Sequence, residues 1–473
     1  MDLSNYLLMK QEMSLMVVFL ILIVYDLFAS EKSKKYFQPV ACLLFLAHTV
    51  YGFFPQAIGT SFSGMYISNG AEIAIKNILN IGILLLLLQS NGWLSKDDAS
   101  FKRGEFFMLT LLTLFGMYLM ISSGNFILFY IGLETASLPM AALAAFDKYK
   151  NNSAEAGAKY IFNAVFSSAI LLFGLSFLYG ACGTFYFSDL ATTVQSTPLL
   201  VMSLVFISVG LFFKISLVPF HFWTADVYEG APTNVTAYLS TISKGAGVFA
   251  LMVILYKVFG SMAYEWENML WWVVLVTITV GNLFAMRQTN LKRFMAFSSV
   301  SQAGYIALAV LAGSPQGMAA TLYYILVYIF SNMAIFGVIS AIENKTGKVG
   351  MSDYNGLYKT NPKLALVMMM ALFSLGGIPP LAGFFSKFFV FTAAAAQGQY
   401  LLVLLALLNT IISLYYYLLI VKAMFITPNE NPIETLRSDG YMKIALVACM
   451  VGLVVVGFAS GIYEYLNSIG FGI

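Results

Sequence analysis

Long apolar runs separated by short polar segments follow one another along almost the whole chain. A transmembrane helix needs about 20 mostly apolar residues to cross a hydrocarbon core of about 30 Å. Fourteen runs have a suitable length, and no soluble domain remains between them. The pattern predicts an all-α polytopic membrane protein with about 14 transmembrane helices, centred near residues 20, 46, 82, 113, 135, 167, 209, 245, 278, 303, 330, 379, 412 and 453.

The composition supports the same class. Hydrophobic residues make up 60% of the chain and charged residues only 10%. Charged residues make up about 25% of an ordinary soluble domain. The composition therefore excludes a soluble globular enzyme and directs attention to polar residues within the membrane.

The lysines and arginines fall mainly on one side of the predicted membrane. Of the 25 such residues, eighteen lie in one alternate set of loops, starting with the loop between helices 1 and 2. Only two lie in the other loops and the termini, which leaves five inside predicted helices. Because cytoplasmic loops carry the excess of positive charge, both termini are predicted to lie outside the cytoplasm.

The lysines inside predicted helices are Lys76, Lys159, Lys214, Lys244 and Lys387. A lysine at the bilayer centre costs about 2.5–3.5 kcal/mol on insertion scales, and such residues usually mark ion or proton pathways. Lys214, Lys244 and Lys387 lie deep within apolar runs and are therefore the first functional candidates. Lys76 lies early in helix 3, where its long side chain is expected to reach the outer interface.

Glu134 stands out among the acidic residues because it lies near the middle of helix 5, between apolar and small residues. Pairing with a buried lysine would keep both groups charged, and loss of that partner would favour protonation of the acid. The alternative is a permanent ion pair that joins two helices. In helix 6, Glu155 and Lys159 are four residues apart and share one face. They are expected to form a simple salt bridge or an intermediate in a row of charges.

Helices 7 and 12 contain helix-breaking residues. Pro219 lies five residues after Lys214, and helix 12 contains the run SLGGIPPLAGFFSKFF around Lys387. Discontinuous helices at corresponding positions of two halves are typical of transport sites. Each broken helix is the fourth member of a five-helix unit, helices 4–8 and 9–13, and five is odd, so the second unit is predicted to be inverted. The predicted segments are 1–104, 105–260, 261–427 and 428–473.

His221 follows Pro219 by two residues. An imidazole changes charge near neutral pH, which suits proton exchange. The same side chain could instead bind a carbonyl that the break in helix 7 leaves free. Both interpretations remain open at this point.

Three runs resemble known membrane proteins. They are KISLVPFHFWTADVYEGAPTNVTAYLSTISKGAGVFAL (214–251), LKRFMAFSSVSQAGY (291–305) and SLGGIPPLAGFFSKFFVF (374–391). The chain resembles the antiporter-like membrane subunits of respiratory complex I, and among these it looks most like the subunit N branch of the bacterial NADH:quinone oxidoreductase. The L and M branches usually read more like PLHTWLPDA at the first site, and the M branch typically has a glutamate on helix 12 instead of Lys387.

The resemblance implies roles for individual residues. It implies proton translocation by Glu134, Lys214, Lys244 and Lys387, with supporting roles for Glu155, Lys159 and His221. One position departs from the family, because relatives often have a histidine where helix 10 has Gln302. An amide orders water but does not titrate, so a relay there would pass through water and through Ser298, Ser299 and Ser301.

The resemblance also implies a function. The chain would be a proton-translocating membrane-arm subunit of a translocase enzyme, in the bacterial cytoplasmic membrane with both termini on the periplasmic side. No cofactor is expected on this chain, whereas FMN, iron–sulfur clusters and quinone are expected on partner subunits. Neighbouring antiporter-like and small membrane-arm subunits are the expected partners. A multi-subunit cation/proton antiporter, a hydrogenase- or ferredoxin-linked relative and a non-transporting scaffold remain alternatives.

Overall fold

The structure is a computed structural model that describes residues 4–96 and 99–469. Within these residues, twelve helices are long and apolar enough to cross a membrane. The shorter helix Phe37–Gly52 and the interrupted pair Pro362–Gly376 and Ala382–Ala396 bring the number of spans to fourteen, two of which are interrupted. They are α1 (Lys10–Phe28), α2 (Phe37–Gly52), α3 (Gly70–Gln89), α4 (Arg103–Ile121), α5 (Phe126–Ala144), α6 (Asn151–Cys182), α7a (Pro198–Ile215) with α7b (Phe222–Gly230), α8 (Thr233–Val258), α9 (Ala263–Ala285), α10 (Leu291–Leu311), α11 (Pro315–Thr346), α12a (Pro362–Gly376) with α12b (Ala382–Ala396), α13 (Tyr400–Phe425) and α14 (Gly440–Phe458). The predicted all-α fold with about fourteen spans is confirmed.

Short elements connect the spans. An antiparallel hairpin of β1 (Gly59–Ser61) and β2 (Tyr66–Ser68) joins α2 to α3. The other connections include short helices at Glu31–Lys34, Asn91–Leu94, Phe187–Thr193 and Leu357–Thr360, and 3-10 turns at Ser100–Lys102, Gly260–Met262 and Met351–Tyr354. Two further short helices, Ser4–Leu8 and Ser460–Ser468, lie before the first span and after the last one. The sequence did not predict the hairpin, because its strands are only three residues long.

Polar side chains in the loops fix where several spans begin. The side chain of Asn69 accepts hydrogen bonds from the first turn of α3, and the backbone N–H of Asn69 donates in turn to Glu72 Oε2. Asn125 caps α5 in the same way, and Thr197 caps α7a just before Pro198. Such caps satisfy backbone N–H groups that have no partner inside the helix. The spans therefore begin at defined residues at the edges of the apolar layer.

Helices α8, α10 and α11 form the centre of the molecule. The most apolar stretch of α8 is buried completely, and nearly all of α10 and α11 is buried as well. The remaining helices surround them and expose leucine, valine and phenylalanine side chains outward, as Leu404 on α13 and Val451 on α14 do. Because lipid is as apolar as these side chains, the outer surface suits a membrane, and the polar residues of α8 and α10 are shielded from it.

One polar cleft shows the direction of the helices. Its volume is about 590 Å³, and residues from the α3–α4, α5–α6, α7b–α8 and α11–α12a connections line it together with Lys292 at the start of α10. Helix α4 therefore begins at the cleft end of the molecule, whereas α9 begins at the opposite end. The units α4–α8 and α9–α13 run in opposite directions, which is the inverted arrangement predicted from the sequence.

The two helix breaks have the same backbone geometry. Ser216 follows α7a with a φ of 66°, and Gly377 follows α12a with a φ of 83°. The next residue in each case returns a hydrogen bond to the last turn of the helix, from Leu217 N to Phe212 O and from Ile378 N to Phe373 O, both at 2.9 Å. A left-handed residue is easy for Gly377 and strained for Ser216. The predicted breaks in helices 7 and 12 are confirmed.

Helices α4 and α5 approach each other through two glycines, which generates a test of the packing. A Cβ atom at Gly132 would lie 2.5 Å from the backbone N of Met120, and one at Gly116 would lie 2.4 Å from the backbone N of Ala136. Close backbone contact through small residues is a usual way for membrane helices to pack. We expect Gly132→Ala to separate α4 from α5 and to lower stability by about 1–3 kcal/mol. Thermal unfolding in mild detergent measures the effect.

The matched control is Gly180→Ala on α6, because a Cβ there meets no heavy atom within 4 Å. Equal melting temperatures for the two alanine variants would contradict the packing described for α4 and α5.

Candidate functional site

Glu134 and Lys214 face the same small cavity but do not form an ion pair. Lys214 Nζ donates to Ser137 Oγ at 2.8 Å, and Ser168 Oγ donates to Glu134 Oε1. The cavity between them is about 10 Å³, close to the smallest space that holds one water molecule. Within the described part of the chain no salt bridge joins Glu134 to Lys214, so the two groups are not directly paired in this structure. Each group instead has its own serine partner, and the cavity lies between them.

Lys214 occupies the last turn of α7a, directly before the break, and is buried. On the other side of the break, neither ring nitrogen of the buried His221 has a hydrogen-bond partner among the described residues. Its ring packs against Phe222, with 4.5 Å between the ring centroids. The backbone of Pro219 nevertheless lies close to the ring. Carbonyl binding and proton exchange through water therefore both remain predictions for His221.

Lys244 lies in the completely buried apolar stretch of helix α8. Its Nζ donates to Ser299 Oγ on α10 at 2.7 Å and lies 5.7 Å from the centre of the Tyr228 ring. No carboxylate within the described ranges forms a salt bridge with it. A π-helical turn, Leu239–Ser243, comes directly before it, and such turns are frequent at functional sites. A single hydroxyl and an aromatic face therefore hold this cation.

Gln302 occupies the position where relatives often have a histidine, and it lies within a chain of hydroxyl groups. Tyr324 Oη donates to Gln302 Oε1, and Gln302 Nε2 donates to Tyr417 Oη at 3.1 Å. The Tyr417 hydroxyl is in turn 2.5 Å from Ser298 Oγ. Ser301 Oγ has no partner among the described residues. The predicted serine neighbourhood is therefore only partly in place, and two tyrosines that the sequence reasoning missed complete it.

Lys387 lies after the break in α12 and points back toward it. Its Nζ donates to the carbonyl of Gly376 at 3.4 Å and lies 5.0 Å from the centre of the Tyr305 ring. Gln302 and Lys387 both line a second cavity of about 10 Å³, together with Ser374. The break thus supplies a carbonyl to a buried ammonium group and brings it beside the hydroxyl chain of α10.

Glu155 and Lys159 form the expected salt bridge at 2.7 Å, and this pair belongs to a larger network. Lys159 Nζ also lies 2.6 Å from Asp226 on α7b, and Arg293 lies 2.8 Å from both Asp226 and Glu229. The side chain of Lys159 is 40% exposed, so it differs from the three deep lysines. The sequence reasoning missed the two acids of α7b, although the run FWTADVYEG places them three residues apart and hence on one helix face.

The three deep lysines therefore share one property. Hydroxyl and carbonyl oxygens hold each of them, and carboxylates do not. Further polar atoms around them are buried without a hydrogen-bond partner in the described ranges, namely Tyr160 Oη, Ser216 Oγ, Thr224 Oγ1, Tyr228 Oη, Tyr328 Oη and Asn332 Oδ1. Buried polar atoms of this kind normally bind ordered water. The arrangement suits the transfer of protons between buried groups. Among the described residues no group of three His, Cys, Asp or Glu side chains is placed to hold a metal ion.

The hydroxyl chain around Gln302 yields a testable expectation. Gln302→Leu removes the acceptor of the buried Tyr324 hydroxyl and the donor to Tyr417, so stability should fall by about 1–3 kcal/mol. Gln302→His retains one hydrogen-bond acceptor and one donor, so its stability should fall much less. Gln288→Leu is the control, because Gln288 is a partly exposed glutamine on the loop after α9. Equal unfolding temperatures for the leucine and histidine variants would contradict the role of this side chain.

Comparison with known proteins agrees with this geometry. The family described as NADH:quinone oxidoreductase/Mrp antiporter, TM matches residues 123–413. The NADH-quinone oxidoreductase subunit N of Phocaeicola vulgatus is 57% identical over 99% of both chains. A chain of respiratory complex I from Thermus thermophilus, solved with bound aureothin, is 31% identical, covers 97% of this chain and 100% of its own length, and superposes with a TM-score of 0.82.

A chain of the Mrp complex from Dietzia sp. DQ12-45-1b superposes with a TM-score of 0.84 over 99% of this chain and 96% of its own. At 20% identity, this likeness shows the fold alone. The identity to subunit N is far higher and extends over essentially the whole chain. The chain therefore belongs to the subunit N family of NADH-quinone oxidoreductase membrane subunits.

Proposed function

We propose that this chain is a proton-translocating membrane-arm subunit of an NADH-quinone oxidoreductase, a translocase enzyme. Family membership and the three buried lysines along α7a, α8 and α12b carry the proposal together. Neighbouring antiporter-like and small membrane-arm subunits are its partners. FMN, iron–sulfur clusters and quinone belong to other subunits of the complex.

Energy for the transfer comes from those partners. Moving one proton against a membrane potential of 100 mV costs about 2.3 kcal/mol. Quinone reduction elsewhere in the complex supplies this energy. The energy is transmitted to this chain as a change in the electric field around its buried charges. Glu134 is well placed to respond, since it lies across a cavity from Lys214 and is only partly buried.

The first step concerns Lys214 and Glu134. A carboxylate that approaches an ammonium group stabilises its charged form by Coulomb attraction. When Glu134 moves toward Lys214, the lysine holds its proton more firmly, and when Glu134 moves away, the proton is released more easily. Ser137 remains bonded to either form of the amine, because a hydroxyl both donates and accepts. The proton then leaves through water beside His221.

Later steps pass through the centre of the molecule. Lys244 receives the proton and exchanges it along the hydroxyl groups of α10. Gln302 does not titrate, so the proton bypasses it through Tyr324, Tyr417 and bound water. Lys387 accepts the proton beside the break in α12 and passes it to a neighbouring subunit or to the outside. Glu155 and Lys159 support the route at its half-exposed end.

The chain lies in the bacterial cytoplasmic membrane with both termini on the periplasmic side. The distribution of cations supports this orientation, since the cleft end of the molecule carries Lys96, Lys150, Lys292 and Lys345. Cytoplasmic loops hold such an excess. The cleft then opens to the cytoplasm, from which protons enter. In this proposal the four segments predicted from the sequence are an N-terminal group of helices (1–104), a first five-helix unit (105–260), an inverted second unit (261–427) and a final helix (428–473).

A cation/proton antiporter remains the alternative that shares this fold. The resemblance to the Mrp chain concerns the fold, whereas the resemblance to subunit N concerns the sequence along the whole chain. The same evidence disfavours a hydrogenase- or ferredoxin-linked relative, and a non-transporting scaffold would not need three buried lysines. The oxidoreductase is therefore the preferred assignment.

Substitution of the deep lysines tests the proposal. We expect Lys214→Ala and Lys387→Ala each to lower the rate of NADH-driven proton transfer through this chain at least about tenfold in membrane vesicles. A positioned acid or base typically accelerates a proton transfer by a factor of about 10²–10⁴. The exposed Lys359 provides the control as Lys359→Ala. Pumping is measured as quenching of a pH-sensitive dye, normalised to the amount of assembled complex.

Unchanged pumping in an assembled complex that carries either deep substitution would refute the assignment. Sodium-dependent proton transport without NADH or quinone would favour the antiporter instead.

A further inference from the structure

A second buried charge cluster lies among α1, α3 and α4, away from the row of deep lysines. Lys76 Nζ lies 2.5 Å from Glu12 Oε1 and donates to Ser122 Oγ at 2.6 Å and to Tyr66 Oη at 3.1 Å. Both charged side chains are at most 3% exposed. The expectation that Lys76 reaches the interface is therefore wrong. The carboxylate of Glu12 on α1 pairs with the buried ammonium group of Lys76 on α3.

His48 on α2 belongs to the same cluster. Its Nδ1 lies 2.8 Å from Ser14 Oγ, and its Nε2 lies 3.2 Å from Tyr118 Oη. The Tyr118 hydroxyl donates to Asn80 Oδ1, so its oxygen accepts from His48 Nε2. The ring of Tyr118 is 5.4 Å from Lys76 Nζ. Tyr118 thus contacts both the imidazole of His48 and the ammonium group of the buried Lys76–Glu12 pair.

Polar contacts lead from this cluster toward the central helix. Five residues before Tyr118 on α4, Thr113 Oγ1 lies 2.5 Å from Tyr238 Oη on α8. Five residues correspond to about 7.5 Å along a helix. The Tyr238 hydroxyl also contacts Met117 Sδ at 3.9 Å, and Tyr238 lies six residues before Lys244 on the same helix. Thr113 and Tyr238 therefore lie between Tyr118 of the cluster and Lys244 of the deep lysine row.

The cluster also reaches the outer surface. Ser14 and His48 line a groove of about 600 Å³ between α1 and α2, with Lys10 and Tyr51 at one end. Lys10 lies at the start of α1 and donates to Pro55 O in the loop that follows α2. Because α4 begins at the cleft end, these residues lie at the opposite end, which the proposed orientation places on the periplasmic side.

We propose that Glu12, Lys76 and His48 form a second proton-binding site, through which a proton that leaves the row near Lys244 reaches the periplasmic side. The inference rests on the proposed function. A purely structural pair is the alternative, but buried ion pairs stabilise poorly compared with apolar packing. Glu12 Oε2 has no hydrogen-bond partner among the described residues, so the carboxylate keeps a free position for a proton. One proton enters beside Tyr118 and one leaves by His48, and the pair returns to its starting charge.

Two variants separate proton transfer from structure. Lys76→Arg keeps the charge beside Glu12, but a guanidinium does not release its proton. His48→Gln retains a donor and an acceptor but does not titrate. We expect both complexes to assemble normally and to pump at least about twofold fewer protons per NADH in vesicles, since they lose a positioned acid or base. Lys359→Arg is the matched control on the surface.

Lys214→Ala is measured in the same vesicles. If Lys76→Arg and His48→Gln pump like wild type while Lys214→Ala does not, the second site is refuted and the proposed function stands. If Lys214→Ala also pumps like wild type, the proposed function itself falls. Should Lys76→Arg fail to assemble, the double variant Glu12→Gln/Lys76→Met removes both charges at similar volume. Wild-type pumping by that variant overturns the proposal, and if it also fails to assemble, His48→Gln decides alone.

Discussion

The fold depends on one constraint, which is that an ammonium group inside a membrane protein needs oxygen partners that hydrocarbon does not provide. Lys214, Lys244 and Lys387 find theirs in Ser137, Ser299 and the carbonyl of Gly376. The break in α12 frees that carbonyl, and the complete burial of α8 keeps lipid away from Lys244. The arrangement of central and outer helices follows from this requirement.

Neutral partners have a consequence for proton transfer. A lysine that is paired with a buried carboxylate leaves an unpaired charge when it releases its proton, and such a charge costs several kcal/mol. A lysine held by a hydroxyl leaves none, so its proton can move at lower cost. The half-exposed network of Lys159, Asp226 and Arg293 uses ion pairs, because water screens its charges. Along the proposed route, ion pairs therefore lie at the half-exposed end and neutral partners at the three deep lysines. The buried pair of Glu12 and Lys76 differs, because a proton taken up by Glu12 offsets the proton that Lys76 releases and no charge is left unpaired.

Much of this arrangement could be predicted from the sequence. Apolar runs define the spans, and prolines and paired glycines mark the breaks. A lysine deep in an apolar run is unusual enough to be recognised as a functional candidate without knowledge of its partners. The partners could not be predicted, because they depend on which helix packs against which. Nothing near Ser299 in the sequence indicates that it binds Lys244, and neither the separation of Glu134 from Lys214 nor the pairing of Glu12 with Lys76 follows from local pattern.

We propose that hydrated polar groups join the deep lysines into one route. An electron cryo-microscopy map of the assembled complex, at a resolution that shows ordered water, is the decisive measurement. We expect water within hydrogen-bond distance of His221, Thr224, Tyr328 and Asn332, each of which has a buried side-chain atom without a hydrogen-bond partner in the described part of the chain. Such waters would connect Lys214 to Lys244 and Lys244 to Lys387. A dry apolar gap between any two of these lysines, in every state of the working complex, would contradict it.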